Sequence, residues 1–141
     1  MAASAAKHGS ARTKARKRAL DILFEADLRG VDALDVLTTH QELNEPPVRE
    51  FTTELVRGVK EHQVELDELV SDCLNPGWTL ARMPRVDRNL ARIAAYEIMF
   101  TDVAPEIAVA ESVGLSQELS TDASPGFLGG VLGALAARRS A

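Results

Sequence analysis

The residues of this chain best suited to bind a charged ligand are the cations near its N-terminus. Residues 1–18 contain no acidic residue and six basic ones: Lys7, Arg12, Lys14, Arg16, Lys17 and Arg18. The other 123 residues hold 10 basic and 21 acidic side chains. A concentrated positive end on an otherwise acidic protein attracts polyanions, so the run predicts a phosphate-rich partner, with nucleic acid as the leading candidate. Arginine suits this role because it grips a phosphate through two parallel hydrogen bonds and also stacks on bases.

A solvated, disordered tail is the competing interpretation of the same run. The residues that follow favour a helix, because Ala11, Ala15, Ala19, Ile22 and Ala26 are spaced by four, four, three and four positions. That spacing places them on one helical face. The cations then belong to the first turns of a docked helix.

The sequence lacks the residue patterns of an enzyme. His8, His40 and His62 lie in three separate segments, and Cys73 is the only cysteine. A His-Glu-x-x-His metal motif, an intrachain disulfide and a multi-thiolate metal site are therefore excluded. There is also no phosphate-binding glycine loop with lysine and no serine nucleophile elbow. We expect a binding protein with no catalytic residue, no metal and no cofactor.

Composition indicates an all-helical protein. The chain is 45% hydrophobic with only 4% aromatic residues, and it lacks the alternation of β-branched residues typical of strands. No apolar run approaches the ~20 residues that span a bilayer, and the N-terminal charges precede no apolar signal segment. We therefore expect a cytoplasmic protein without a membrane partner. Residues 1–10 are small and polar, which predicts a disordered N-terminus.

Capping and turn residues divide the chain into six to eight helices. The first is expected from about Arg12 to Leu28, with Gly30 as its stop. Asp32 is expected to cap a short second helix, and Pro84 and Pro105 to open two later ones. The short loops between helices predict antiparallel bundles.

Later segments add a domain boundary and a last helix. The strongest turn signal is residues 75–77, Asn-Pro-Gly, where we place the boundary between two halves. Whether residues 48–74 form one helix or two is left open by the sequence. Ser124 and Pro125 form a cap and first residue for the last helix. The glycines of that helix (Gly129, Gly130 and Gly133) indicate close approach of another helix.

Six separated segments share their order and spacing with one known family. They are residues 16–25 (RKRALDILFE), 54–59 (ELVRGV), Trp78 with 82–90 (RMPRVDRNL), 92–98 (RIAAYEI), 105–113 (PEIAVAESV) and 127–132 (FLGGVL). Together they span about residues 12–137. On these segments the chain resembles the NusB family of bacterial antitermination factors. Two positions depart from the family's usual pattern, since Ala110 and Gly129 stand where asparagine is common.

The resemblance implies a fold and a function. The fold is all-α, with about seven helices in two three-helix bundles packed together, which here correspond to residues of about 11–75 and 76–138. The function is binding of the boxA element of nascent RNA together with NusE, a small-subunit ribosomal protein. This complex joins other Nus factors and RNA polymerase and promotes processive transcription of ribosomal RNA operons.

The resemblance also implies RNA-contacting residues. The family's arginine-rich motif corresponds to Arg12, Lys14, Arg16, Lys17 and Arg18. The start of helix five and the loop before the last helix correspond to Asp87, Arg88 and Asp122. We assign Phe24, Phe51 and Phe127 to the core instead of to base stacking.

Two other classes of protein compete with this interpretation. One is a homo-oligomeric structural or regulatory protein, such as a homodimer, whose basic helix is masked by a protein partner. The other is a helix-turn-helix DNA binder. The second is disfavoured because no helix presents a face of Arg, Asn and Gln.

Overall fold

A computed structural model describes residues 10–140, with side chains through Arg139. Within that range the chain forms six α-helices, one short 3-10 helix and no strand, which confirms the all-α prediction. The α-helices are α1 (Ala11–Arg29), α2 (Ala33–Leu43), α3 (Glu50–Asp72), α4 (Arg85–Phe100), α5 (Pro105–Leu119) and α6 (Ser124–Ser140), and the 3-10 helix is Leu80–Arg82. Of the segment 1–10 predicted to be disordered, residues 1–9 lie outside the described residues, Lys7 and His8 included.

Local sequence signals set the ends of several helices. Ser10 caps α1 with its hydroxyl oxygen, and Gly30 ends the same helix in the left-handed region with φ of 67°. Asp32 caps α2 through its carboxylate, and Pro105 is the first residue of α5. The predicted stop at Gly30, cap at Asp32 and start at Pro105 are thereby confirmed, because each acts on backbone groups within one turn.

Other predictions concern the length of α3 and the glycines of α6. Residues 50–72 form a single helix, which answers the question left open for residues 48–74. A Cβ atom built on Gly130 or Gly133 would meet no atom within 4 Å, so the interpretation of close helix approach is wrong at these two positions. At Gly129 a Cβ atom would lie 3.8 Å from Val113 Cγ2, an ordinary packing distance.

The chain divides into two compact units, one ending at Glu61 and one beginning at His62, so the division falls inside α3. In the first unit α1 packs against α2, around a core that includes Ile22, Leu37, Leu55 and Val59. In the second unit α4, α5 and α6 pack against one another, around a core that includes Leu90, Ile98, Leu128, Leu132 and Leu135. Each fully buried leucine or isoleucine stabilises its unit by about 1.5–3 kcal/mol. The bundle boundary at residues 75–77 stays a prediction.

Candidate nucleic-acid interface

The cations of residues 12–18 lie on the first two turns of α1, but they do not share one environment. Arg12 and Lys14 are exposed, Lys17 and Arg18 are half-buried, and Arg16 is only 4% exposed. Among the described residues neither Arg12 nor Lys14 has an ion-pair partner. The two exposed side chains are therefore available to an anion, whereas Arg16 is part of the packing of the first unit.

The ring of Phe51 on α3 contacts two arginines of α1, Arg12 and Arg16. The guanidinium carbon of Arg12 lies 4.2 Å from the centroid of the Phe51 ring, and that of Arg16 lies 5.2 Å from it. Such a cation–π contact contributes about 0.5–2 kcal/mol, depending on how far it is desolvated. The adjacent Thr52 donates a buried hydrogen bond of 2.9 Å to the carbonyl oxygen of Ala15, which fixes α3 against α1. Phe51, which was predicted to be a core residue, thus orients Arg12 at the surface.

Arg18 is oriented by the residues that follow α1. Its Nε donates to Nδ1 of His40 at 3.1 Å, and its Nη1 donates to the carbonyl oxygen of Pro46 at 3.2 Å. Because His40 Nδ1 accepts this bond, the proton of the neutral ring belongs on Nε2, which lies 3.3 Å from Oε1 of Glu25. The hydrogen bond from Arg29, and then that from His40, hold the pKa of the Glu25 carboxyl below its usual range. Arg18 keeps its Nη2 group without a partner among the described residues.

In the second unit, Asp87 is buried and its carboxylate is used within the protein. It is 2% exposed and accepts hydrogen bonds from the hydroxyl groups of Ser120 and Ser124, at 2.5 Å and 2.7 Å. Ser124, predicted as a helix cap, is already inside α6, and its hydroxyl donates to this carboxylate. Asp87 therefore supports the turn before α6, and that turn carries the exposed Asp122.

Arg88 follows Asp87 on α4. It is half-buried and its Nη1 donates to the carbonyl oxygen of Leu80 at 3.2 Å. Arg88 therefore fixes the 3-10 helix beside the start of α4. The structure thus brings Asp87, Arg88 and Asp122 into one part of the second unit. Their contact with RNA stays a prediction.

An aromatic cluster that was not predicted from the sequence lies in this same unit. Trp78 is 43% exposed, and its ring centroid lies 5.5 Å from that of Phe127, with an angle of 48° between the planes. The guanidinium carbon of Arg82 lies 5.2 Å from the Trp78 ring. Phe127, which the sequence placed in the core, is half-exposed. The available signal was the spacing of Trp78 and Arg82, four residues apart across a predicted helical turn.

Two further classes of site are not found in the described part of the chain. No helix formed by residues 10–140 is long and apolar enough to cross a membrane. No group of three or more His, Cys, Asp or Glu side chains in that range is placed to hold a metal ion.

Together the fold and these side chains define an all-helical protein with a basic helix start in one unit and a cationic, aromatic surface in the other. The NusB family model matches residues 13–137, and the chain belongs to the NusB family. A relative from Cutibacterium acnes, a transcription antitermination protein NusB, is 56% identical over 126 residues, which is 89% of this chain and 48% of the relative. This chain therefore spans about half the length of that relative.

A second relative matches over nearly its whole length. The transcription antitermination protein NusB of Acidothermus cellulolyticus is 49% identical over 131 residues, 92% of this chain and 90% of the relative. A crystal structure of T. maritima NusB is 28% identical with a TM-score of 0.80, over 91% of this chain and 92% of that chain. The NusB chain in a crystal structure of the antitermination factors NusB and NusE in complex with double-stranded RNA has the same fold, with a TM-score of 0.79 at 24% identity over 90% and 96% of the two chains.

Proposed function

We propose that this protein is an RNA-binding transcription antitermination factor that binds boxA RNA together with NusE and promotes processive transcription of ribosomal RNA operons. The observation that carries the proposal is the start of α1, where Arg12 and Lys14 are exposed and have no ion-pair partner among the described residues. The names of the two relatives, and the complex of a NusB with NusE and RNA, support the same function.

The start of α1 suits an RNA backbone for electrostatic reasons. Arg12 is held over Phe51, so part of the entropy of fixing its side chain is already lost before RNA binds. Its planar guanidinium group can then donate two parallel hydrogen bonds to one phosphate. Lys14 adds a point charge on the same helix, and the positive end of the helix dipole also favours an anion.

Two half-buried cations extend this surface. Lys17 lies one turn after Lys14, and Arg18 is directed by His40 and Pro46 with its Nη2 group still unpaired among residues 10–140. Arg16 has a different role, because its burial beside Phe51 makes it a support for Arg12. The proposed surface therefore makes four phosphate contacts, through the side chains of Arg12, Lys14, Lys17 and Arg18.

The protein acts by binding and performs no chemistry of its own in this proposal. NusE, other Nus factors and RNA polymerase supply the rest of the complex, in the cytoplasm. Asp87 contributes by holding the turn that carries Asp122, and Arg88 by holding the 3-10 helix.

A titration with boxA RNA and a scrambled RNA of the same composition, with and without NusE, tests the proposal. We expect tighter binding of boxA RNA than of the scrambled RNA, and a larger difference when NusE is present. Equal affinity for both RNAs in the presence of NusE would contradict the proposal. A concentration-independent dimer with no affinity for boxA RNA would favour the masked homo-oligomer instead.

A further inference from the structure

We propose that Trp78 and Arg82 form a stacking site for one unpaired base of a single-stranded RNA, an inference that rests on the proposed RNA-binding function. Trp78 is the only tryptophan of the chain, and in residues 10–139 it is one of two exposed aromatic side chains, with 43% of its surface accessible. Its indole N–H has no hydrogen-bond partner among the described residues. A large exposed ring of this kind stabilises little by packing, so a ligand-binding role accounts for it better.

Both side chains are held in place by a short backbone turn. The backbone N–H of Trp78 donates to the carbonyl oxygen of Asn75 at 3.0 Å, and Gly77 supplies the left-handed conformation that the turn needs, with φ of 88°. Nη1 of Arg82 donates to the carbonyl oxygen of Gly77 at 2.7 Å. Thr79 caps the 3-10 helix by accepting a hydrogen bond from the backbone N–H of Arg82. The indole and the guanidinium group are therefore oriented before any ligand arrives.

The chemistry of the pair fits a nucleobase. Proteins bind single-stranded RNA by stacking bases on aromatic rings and arginine planes, and a neighbouring cation balances the phosphates. Here Arg82 lies over the indole at 5.2 Å and Phe127 supports the ring at 5.5 Å. Duplex RNA does not suit the site, because its bases are already stacked on one another. The site would thus favour single strands, a selection that the cations of α1 do not provide.

A second exposed ring in the same unit supplies the matched control. Phe100 is 38% exposed, close to the value for Trp78, but it stacks on His62 at 4.0 Å between ring centroids, and no arginine of residues 10–139 lies over it. Phe100→Leu and Trp78→Leu therefore remove rings of similar exposure, only one of which belongs to the proposed site.

The test uses the full chain and a single-stranded boxA RNA, followed both by Trp fluorescence and by anisotropy of labelled RNA. We expect RNA to quench the Trp78 emission, and an abasic substitution at one position of the RNA to abolish that quenching. Trp78→Leu should weaken single-strand affinity ~5- to 150-fold, the measured range for one stacked base. Arg82→Lys should weaken it less, and Phe100→Leu should leave it within about twofold of wild type.

The outcomes separate this inference from the proposed function. RNA binding by anisotropy with unchanged Trp emission, for every abasic position, would overturn the stacking site alone. If the wild-type protein bound no RNA at all, both proposals would be overturned. The wild-type fluorescence decides the matter even where circular dichroism shows that Trp78→Leu fails to fold.

Discussion

The carboxylate of Asp87 accepts a hydrogen bond of 2.7 Å from the hydroxyl of Ser124, and this contact joins the first turn of α4 to the first turn of α6. Ser120 donates to the other carboxylate oxygen at 2.5 Å. Hydrogen bonds to a charged acceptor are stronger than neutral ones, and a carboxylate in the first turn of a helix also interacts favourably with the helix dipole. A residue that resemblance assigned to RNA therefore has a structural role as well.

Asp87→Ala should lower the free energy of unfolding by about 2–4 kcal/mol, because two hydroxyl donors lose a buried charged acceptor. Urea denaturation followed by circular dichroism measures this change. The control is Asp122→Ala, which removes an exposed carboxylate and should stay within about 0.5 kcal/mol of wild type. Equal stability of the two variants would show that the Asp87 contacts do not hold the turn.

The ion pair between Arg92 and Asp67 should be strongly coupled. Nε and Nη2 of Arg92 donate to the two oxygens of Asp67 at 2.8 Å and 3.1 Å, and both side chains are largely buried. A double-mutant cycle should give a coupling energy of about 1–3 kcal/mol. Arg138 and Asp72, 3.6 Å apart and exposed, form the control pair, with an expected coupling below about 1 kcal/mol. Similar coupling in both pairs would contradict this prediction.

Gly130→Ala and Gly133→Ala should each stabilise the protein by about 0.4–1 kcal/mol. Both positions are helical and open, so alanine adds no clash and reduces the freedom of the unfolded chain. Gly30→Ala is the control with the opposite sign, since Gly30 has φ of 67° and alanine there costs about 1–2 kcal/mol. Thermal unfolding at pH 7 measures all three, and a loss of stability at Gly130 or Gly133 would mean that another group approaches α6 there.

Glu25 should give a small pH-dependent contribution. Its pKa is lowered from the ordinary value of 4.5, first by Arg29 and then by His40, so folding favours the ionised carboxylate. Its stabilisation is thus present above the unfolded pKa and is lost as the pH falls through the folded pKa. Glu25→Gln should lower stability by less than about 1 kcal/mol at pH 7, because the pair is partly exposed. Denaturation curves at pH 7 and pH 2.5 test this, and a difference that persists at pH 2.5 would refute it.

The sequence predicted those features that depend on neighbouring residues. Asp32, Gly30 and Pro105 act on backbone groups within one turn, so their roles are visible locally. The partners of Asp87 lie 33 and 37 residues away, and the sequence alone does not say which serines they are.

The candidate site likewise depends on contacts between residues that are far apart in the sequence. The number of cations on α1 was predictable, but their division into exposed and buried groups was not. Arg16 is buried because Phe51, 35 positions later, packs on its side of the helix. Nothing in the sequence indicated the exposure of Trp78, because that exposure depends on packing against distant residues such as Phe127, 49 positions later.

The salt dependence of RNA binding tests the central proposal most directly. Four phosphate contacts on single-stranded RNA predict that the logarithm of affinity falls against the logarithm of salt concentration with a slope of roughly −3. The test variant keeps the buried Arg16 and changes the four other cations in the first two turns of α1 to glutamine: Arg12, Lys14, Lys17 and Arg18. The control variant neutralises four exposed cations elsewhere: Arg57, Lys60, Arg138 and Arg139.

We expect the control to keep a slope of roughly −3, and the test variant to bind weakly with a slope near zero. Circular dichroism should show the same helical content in all three proteins. A test variant that binds boxA RNA with the affinity and slope of wild type would contradict the account.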